Sequence, residues 1–188
     1  MAWVTTKDGR RVNTDWFNSD NNKPIISKHS GDEITLKMSL ESWAKNANGI
    51  RHASMGEKYD GSVFGKVGLN DEAKSEQIIN FVKNNSVKEP IYRGISDITD
   101  EDYKRYTKIG SEVEEKGLSS WSTDKRIAVG YGQYSNGITF VRESNTNNAR
   151  KLGNRTGTDT ENEVVVYNNK SKIVRVKKDK YTTYVYLK

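Results

Sequence analysis

Pro90 splits this sequence into two textures, and the split limits what the chain can fold into. Before it, apolar residues recur at helical spacing. Ile34, Leu36, Leu40, Trp43 and Ala44 mark one amphipathic segment over 34–45. Ile78, Ile79, Phe81 and Val82 mark a second over 71–84, opened by Asp71 and Glu72 and closed by Asn84-Asn85. Acids in a first turn complement the helix dipole. After Pro90 the pattern changes to short runs between polar loops, and 91–95, 117–122, 137–141, 163–167, 172–176 and 181–187 read as strands. Two short helices interrupt them: 99–106, with an acidic start, and 124–129, with Thr123 or Asp124 as its cap. Helices first and strands afterwards imply an α+β chain with a split, mostly antiparallel sheet.

The chain has 188 residues, which suits one domain over 34–188 preceded by an arm or extension over 1–33. Trp3, Trp16 and Phe17 of that arm are placed to tuck onto the body, although their spacing fits neither helix nor strand. The glycine-rich stretch 48–70 has no clear period, and 143–160 reads as a long polar loop. Composition excludes several classes. No run approaches 18 apolar residues, so no membrane span is expected. The N-terminus lacks a basic stretch followed by an apolar core, so no secretory signal is read and action in the cytoplasm of a host or target cell is expected. There is no cysteine, hence no disulfide framework and no thiol nucleophile. With only His29 and His52, a multi-histidine metal centre is not expected. The net charge of +6 favours acidic ligands or partners but forms no single block in the sequence, so direct nucleic-acid binding is not expected.

Three places carry polar chemistry where a strand should be apolar. Arg93 sits inside Ile91-Tyr92-Arg93-Gly94-Ile95, and a central-strand guanidinium must be paired or face a ligand cleft, unless the strand is an edge facing water. Gly94 beside it removes a side chain and lets a ligand approach the backbone. Ser119-Ser120-Trp121-Ser122-Thr123-Asp124 brings hydroxyls and an indole to a strand end, either for a ligand or for local capping. Glu161-Asn162-Glu163 precedes Val164-Val165-Val166, and strand alternation puts both carboxylates on one face, roughly 6–7 Å apart. Such a pair can divide its work between stabilising a developing cation and deprotonating a nucleophile. Alone, it also reads as an exposed acidic loop end.

Taken in order, Arg93, Ser120–Ser122 and Glu161–Glu163 resemble the Arg/Ser-x-Ser/Glu-x-Glu pattern of the cholera-toxin-like mono-ADP-ribosyltransferases. Tyr92-Arg93-Gly94 is similar to that family's aromatic-Arg-Gly strand. Leu118-Ser119-Ser120-Trp121-Ser122, with Ala128 downstream, resembles its aromatic-x-Ser-Thr-Ser motif, except that Trp121 stands for the threonine and Leu118 for the aromatic. The resemblance covers about residues 70–170. It implies the ADP-ribosyltransferase fold, with N-terminal helices packed on a split, mostly antiparallel β-sandwich. It also implies NAD as co-substrate, no metal, and transfer of ADP-ribose to a target protein by a monomer. Glu163 would stabilise the oxocarbenium-like ribose, Ser120 would hold Glu163, and Ser122 would support the strand or touch NAD. Arg93 would pair with an NAD phosphate and Gly94 would bond the nicotinamide amide. Tyr131 or Tyr134 would cover the nicotinamide. Glu161, two residues before the catalytic position, implies an arginine acceptor. The opening Trp3-Val4-Thr5-Thr6-Lys7-Asp8-Gly9-Arg10 resembles segments of phage head-associated proteins.

Rival readings are an NAD glycohydrolase without protein acceptor, a glycoside hydrolase using the two carboxylates, and a non-enzymatic phage structural or binding module. The glycoside hydrolase would leave the arginine and serine strands without a purpose.

Overall fold

The structure, a computed structural model, describes residues 3–5, 11–13, 23–153 and 162–188. Trp16, Phe17 and Glu161 lie outside the described residues. Near the start, β1 (Trp3–Thr5) pairs antiparallel with β2 (Arg11–Asn13), and β3 (Ile25–Ile26) pairs with β4 (Glu33–Ile34). Three helices follow: α1 (Leu36–Lys45), α2 (Asn48–Ser54) and α3 (Asp71–Val82). Helix α1 begins at Thr35, whose side chain accepts from the Met38 N–H, and it buries Leu40 and Trp43 one turn apart. The expected start at Ile34 is two residues early, because Ile34 pairs with Ile25 instead. Helix α2 lies in the stretch that had no clear period.

The remaining strands are β5 (Ser86–Val87), β6 (Ile91–Ile95), β7 (Glu112–Ser122), β8 (Ile138–Arg142), β9 (Thr146–Asn147), β10 (Ala149–Lys151), β11 (Glu163–Lys178) and β12 (Thr183–Leu187). Two short helices, α4 (Asp100–Tyr106) and α5 (Lys125–Tyr131), sit among them. Six strands form one sheet in the order β10-β11-β12-β8-β6-β7, and β7 also pairs with β11, which folds the sheet back on itself. The pairs are antiparallel except β12 with β8. This is the α+β, split and mostly antiparallel architecture that the sequence implied. Among the described residues no helix is long and apolar enough to cross a membrane.

Two cores hold it together. Trp121, Val164, Val166, Phe140, Ile91 and Val185 belong to one, between the two β layers. Leu40, Trp43, Ile78 and Phe81 meet Leu118 and Val165 in the other, under the helices. Val164, Val165 and Val166 are all fully buried, since β11 is covered on both faces here.

Strand β11 corrects the sequence reading. Segments 163–167 and 172–176 were expected as separate strands, but one strand of 16 residues runs through both. Asn168 takes a left-handed φ of 47° where the register slips, and its Oδ1 accepts from the N–H of Gly117, whose φ is 72°, at 2.7 Å. The polar run Asn168-Asn169-Lys170-Ser171 has weak strand character by itself. Pairing with the equally polar Glu112–Glu115 keeps it in the ladder.

Candidate active site

Strands β6 and β7 share a single register pair, Tyr92 with Ser122, and then diverge. Arg93 fills the divergence. Its Nη1 donates to the Ser120 carbonyl at 3.1 Å, and its Nε lies 2.9 Å from Glu115 Oε1, an ion-pair distance with the N–H not aligned on that oxygen. Strand β6 lies between β8 and β7, so this is a central-strand arginine and not an edge residue. Burying a guanidinium is tolerable because a carboxylate and a carbonyl meet it.

Glu163 opens β11 opposite Ser122, and Ser120 is its diagonal neighbour on the same face. The Ser120 hydroxyl donates to Glu163 Oε1 at 2.6 Å, and the Trp43 indole N–H donates to the same oxygen at 2.7 Å. Two donors from different elements, β7 and α1, set the carboxylate's orientation. Hydrogen bonds to a charged group contribute about 1.5–3 kcal/mol each.

These groups border one cleft of about 410 Å³, together with Gly94, Arg51 and Tyr131. That volume lies in the range of small-molecule sites. Arg51 comes from α2 with its guanidinium carbon 5.6 Å from the Trp43 ring centre. Burial pushes this guanidinium below its ordinary value, Arg93 pushes the same way, and Glu115 and Glu163 oppose both. Its buried Nε has no hydrogen-bond partner among the described residues. The cleft thus offers two arginines for an anion and a fixed carboxylate for a cation.

Of the residues singled out in the sequence, Arg93, Gly94, Ser120, Ser122, Tyr131 and Glu163 come together at this cleft. Glu161 lies outside the described residues. Ser122 is buried, and its Oγ accepts from the Asp124 N–H at 2.9 Å, which starts the turn into α5. Tyr131, 56% exposed, ends α5, and its carbonyl accepts from the Ser96 hydroxyl. Tyr134 does not reach the cleft. A turn closed by the Gly137 N–H on the Tyr134 carbonyl, 2.7 Å, leads the chain towards β8 and leaves Tyr134 in a separate depression with Tyr103 and Tyr181.

Three residues at the site went unnoticed in the sequence. Trp43 reads as part of a core stripe, Arg51 lies in the stretch without a period, and Glu115 lies in an acidic run that looks like solvated loop. Only Glu115 carried a signal, as an acid two residues before the glycine that begins the serine strand.

Packing gives Gly94 a requirement that its sequence did not suggest. A Cβ there would stand 1.8 Å from the Ala128 carbonyl oxygen and 2.6 Å from the Gly132 nitrogen, both backbone atoms of the α5 region. On its Cβ side, Gly94 is approached closely by the chain itself. Gly94→Ala is expected to lift α5 from β6 and cost about 1–3 kcal/mol, lowering the thermal midpoint on the order of 5–10 °C. An unchanged midpoint in differential scanning calorimetry would show that α5 can shift freely.

No protein-family model matches the chain, and no curated protein matches it in sequence. Solved structures do match in fold. The Vis toxin, an ADP-ribosyltransferase from Vibrio splendidus, is 16% identical with a TM-score of 0.60, over 93% of this chain and 79% of its own. Vis has also been solved in complex with agmatine, at 16% identity and a TM-score of 0.54, over 92% of this chain and 80% of its own. Exoenzyme S from Pseudomonas aeruginosa, in complex with human 14-3-3 protein beta and bound to Carba-NAD, is 12% identical with a TM-score of 0.57, over 80% of this chain and 71% of its own. The chain has the fold of these ADP-ribosyltransferases.

Proposed function

We propose that residues 34–188 form one catalytic unit that moves ADP-ribose from NAD to an arginine side chain of a protein and releases nicotinamide. The observation that carries this reading is Glu163, fixed by Ser120 and Trp43 in the same cleft as Arg93. The fold shared with ADP-ribosyltransferases, one of them solved with Carba-NAD and another with agmatine, supports it.

NAD needs cations for its central pyrophosphate and a carboxylate at its nicotinamide ribose. Its pyrophosphate would lie against Arg93, whose fork has donors beyond those used on Ser120 and Glu115, with Arg51 as a second cation. Its nicotinamide ribose would lie at Glu163, with Gly94 backbone and Tyr131 beside the ring. The bond between ribose C1′ and the nicotinamide nitrogen then breaks. Nicotinamide leaves neutral with the bonding electron pair, and the ribose becomes an oxocarbenium ion that Glu163 stabilises. A guanidino nitrogen of the acceptor attacks C1′, and Glu161 takes the proton that it loses.

The direct test is incubation with NAD and agmatine or polyarginine, with nicotinamide release and ADP-ribosyl-guanidine both measured. Transfer supports the reading. Nicotinamide release with free ADP-ribose alone would favour a glycohydrolase, and no consumption of NAD would sink both.

Arg93→Lys checks the phosphate assignment. The ammonium keeps the charge but cannot bridge two phosphate oxygens or hold Ser120 and Glu115 as well. The KM for NAD is expected to rise about tenfold or more, which corresponds to roughly 1.4 kcal/mol of lost binding. An unchanged KM and kcat would reduce Arg93 to a structural residue.

A further inference from the structure

Residues 170–188 carry seven Lys or Arg and one acid, whereas the whole chain carries 31 basic and 25 acidic residues. The other 169 residues are therefore balanced, with 24 of each sign, and the entire net charge of +6 belongs to the second half of β11, the turn after it and Lys188, which corrects the reading that the charge forms no single block. Two of these cations are matched across the surface, Lys170 by Glu112 at 3.1 Å and Arg175 by Glu143 at 2.9 Å. Lys177, Lys178 and Lys180 cluster at the β11–β12 turn. All three are exposed, and none has a carboxylate partner among the described residues. The single acid, Asp179, is used by the turn: it accepts from the N–H groups of Thr182 at 3.0 Å and Tyr181 at 2.8 Å, which hold its carboxyl below the usual range.

This turn lies beside the strands that carry the candidate active site, without lining its cleft. Thr183 is in register with Ile138, and Ile138 with Ile95. The turn therefore lies two strand spacings, about 10 Å, from the end of the Arg93 strand. On the same side, Lys125 of α5 stands 4.3 Å from the Tyr184 ring centre, and α5 borders the cleft through Ala128 and Tyr131. A depression of about 230 Å³ at the turn holds Tyr134 and Tyr181, 63% and 53% exposed. Exposed tyrosines are enriched at protein-binding surfaces, and lysines without carboxylate partners beside them set the sign of the partner's charge.

We propose that this tyrosine-and-lysine surface docks the acceptor protein through an acidic segment flanking the side chain that enters the cleft. The proposal rests on the transferase reading for the identity of the partner, and on charge for its chemistry. The lysines steer an acidic surface and the depression takes one or two of its side chains. A nucleic acid fits less well, because the unpaired cations cluster at one turn and do not form a stripe that would track a phosphate backbone.

The test uses the full chain and its K177E/K178E/K180E variant. None of these residues borders the cleft. Fluorescence anisotropy is measured with three labelled probes at low and physiological salt: an arginine peptide flanked by glutamates, the same peptide flanked by lysines, and a single-stranded DNA of similar length. The full chain is expected to bind the glutamate peptide about tenfold or more tightly than the lysine peptide, with the variant losing that preference. Nicotinamide release to water should be unchanged in the variant. Equal binding of the two peptides, a preference that survives charge reversal, or tighter binding of DNA than of the glutamate peptide would each overturn the proposal. Failure of the full chain to release nicotinamide would instead count against the transferase reading, and the anisotropy would still decide the surface.

Discussion

Glu163→Gln is expected to remove nicotinamide release and acceptor modification together, each by at least about 10²–10³-fold. The substitution is chosen for what it leaves in place. A glutamine at 163 keeps an oxygen that can accept from the Ser120 hydroxyl and the Trp43 indole, the two bonds that orient the glutamate at 2.6 and 2.7 Å. The strand opposite Ser122 and the buried valines that follow it are untouched. Only the negative charge is lost, and a developing oxocarbenium ion depends on that charge. Nicotinamide release and thermal midpoint, measured on one preparation, separate the outcomes. A midpoint close to that of the parent with release down by that factor supports the assignment. Activity within about threefold of the parent would remove Glu163 from the chemistry, since losing one preorganised electrostatic contact costs far more than that.

The second large effect separates two activities. If Glu161 serves the acceptor, Glu161→Gln leaves the counter-charge of Glu163 in place, and nicotinamide release to water continues. Transfer to agmatine needs the guanidinium relieved of a proton, and it should fall by at least about 10²-fold, the usual effect of losing a general base. Both rates come from one assay, with water or agmatine as the competing nucleophile. An equal fall in both would assign Glu161 to NAD binding or to folding. No fall in either would end the reading of this pair as a catalytic unit.

Much of the candidate site was legible because its residues break a local rule. Arg93 interrupts an apolar strand, Ser120 and Ser122 alternate with buried Ser119 and Trp121, and Glu163 adjoins three consecutive valines. Each anomaly is visible within five or six residues. Tyr134 shows where that kind of reading fails, since its distance in sequence from Tyr131 says nothing about the turn that carries it out of the cleft. The basic turn is a similar case. Its lysines are adjacent in Lys177-Lys178-Asp179-Lys180, but only the structure shows that the acid among them is used by the backbone while the carboxylates of Glu112 and Glu143 are used elsewhere.

The sequence by itself determined the helix-then-strand order, the split, mostly antiparallel sheet and the polar residues that interrupt the strands bordering the cleft, because each of these is visible over a few residues. Tertiary structure decided what meets at the cleft. Trp43 reaches Glu163 across 120 residues of chain, and Ser120 reaches it across 43. Arg93 finds Glu115 only because β6 and β7 pair once and then part, and Arg51 arrives on a helix that has no period to announce it. The same holds for β11, whose polar middle remains a strand because β7 supplies a partner. Register between distant strands and the packing of a helix across a sheet are set by the whole core at once, and no short window of sequence contains that information.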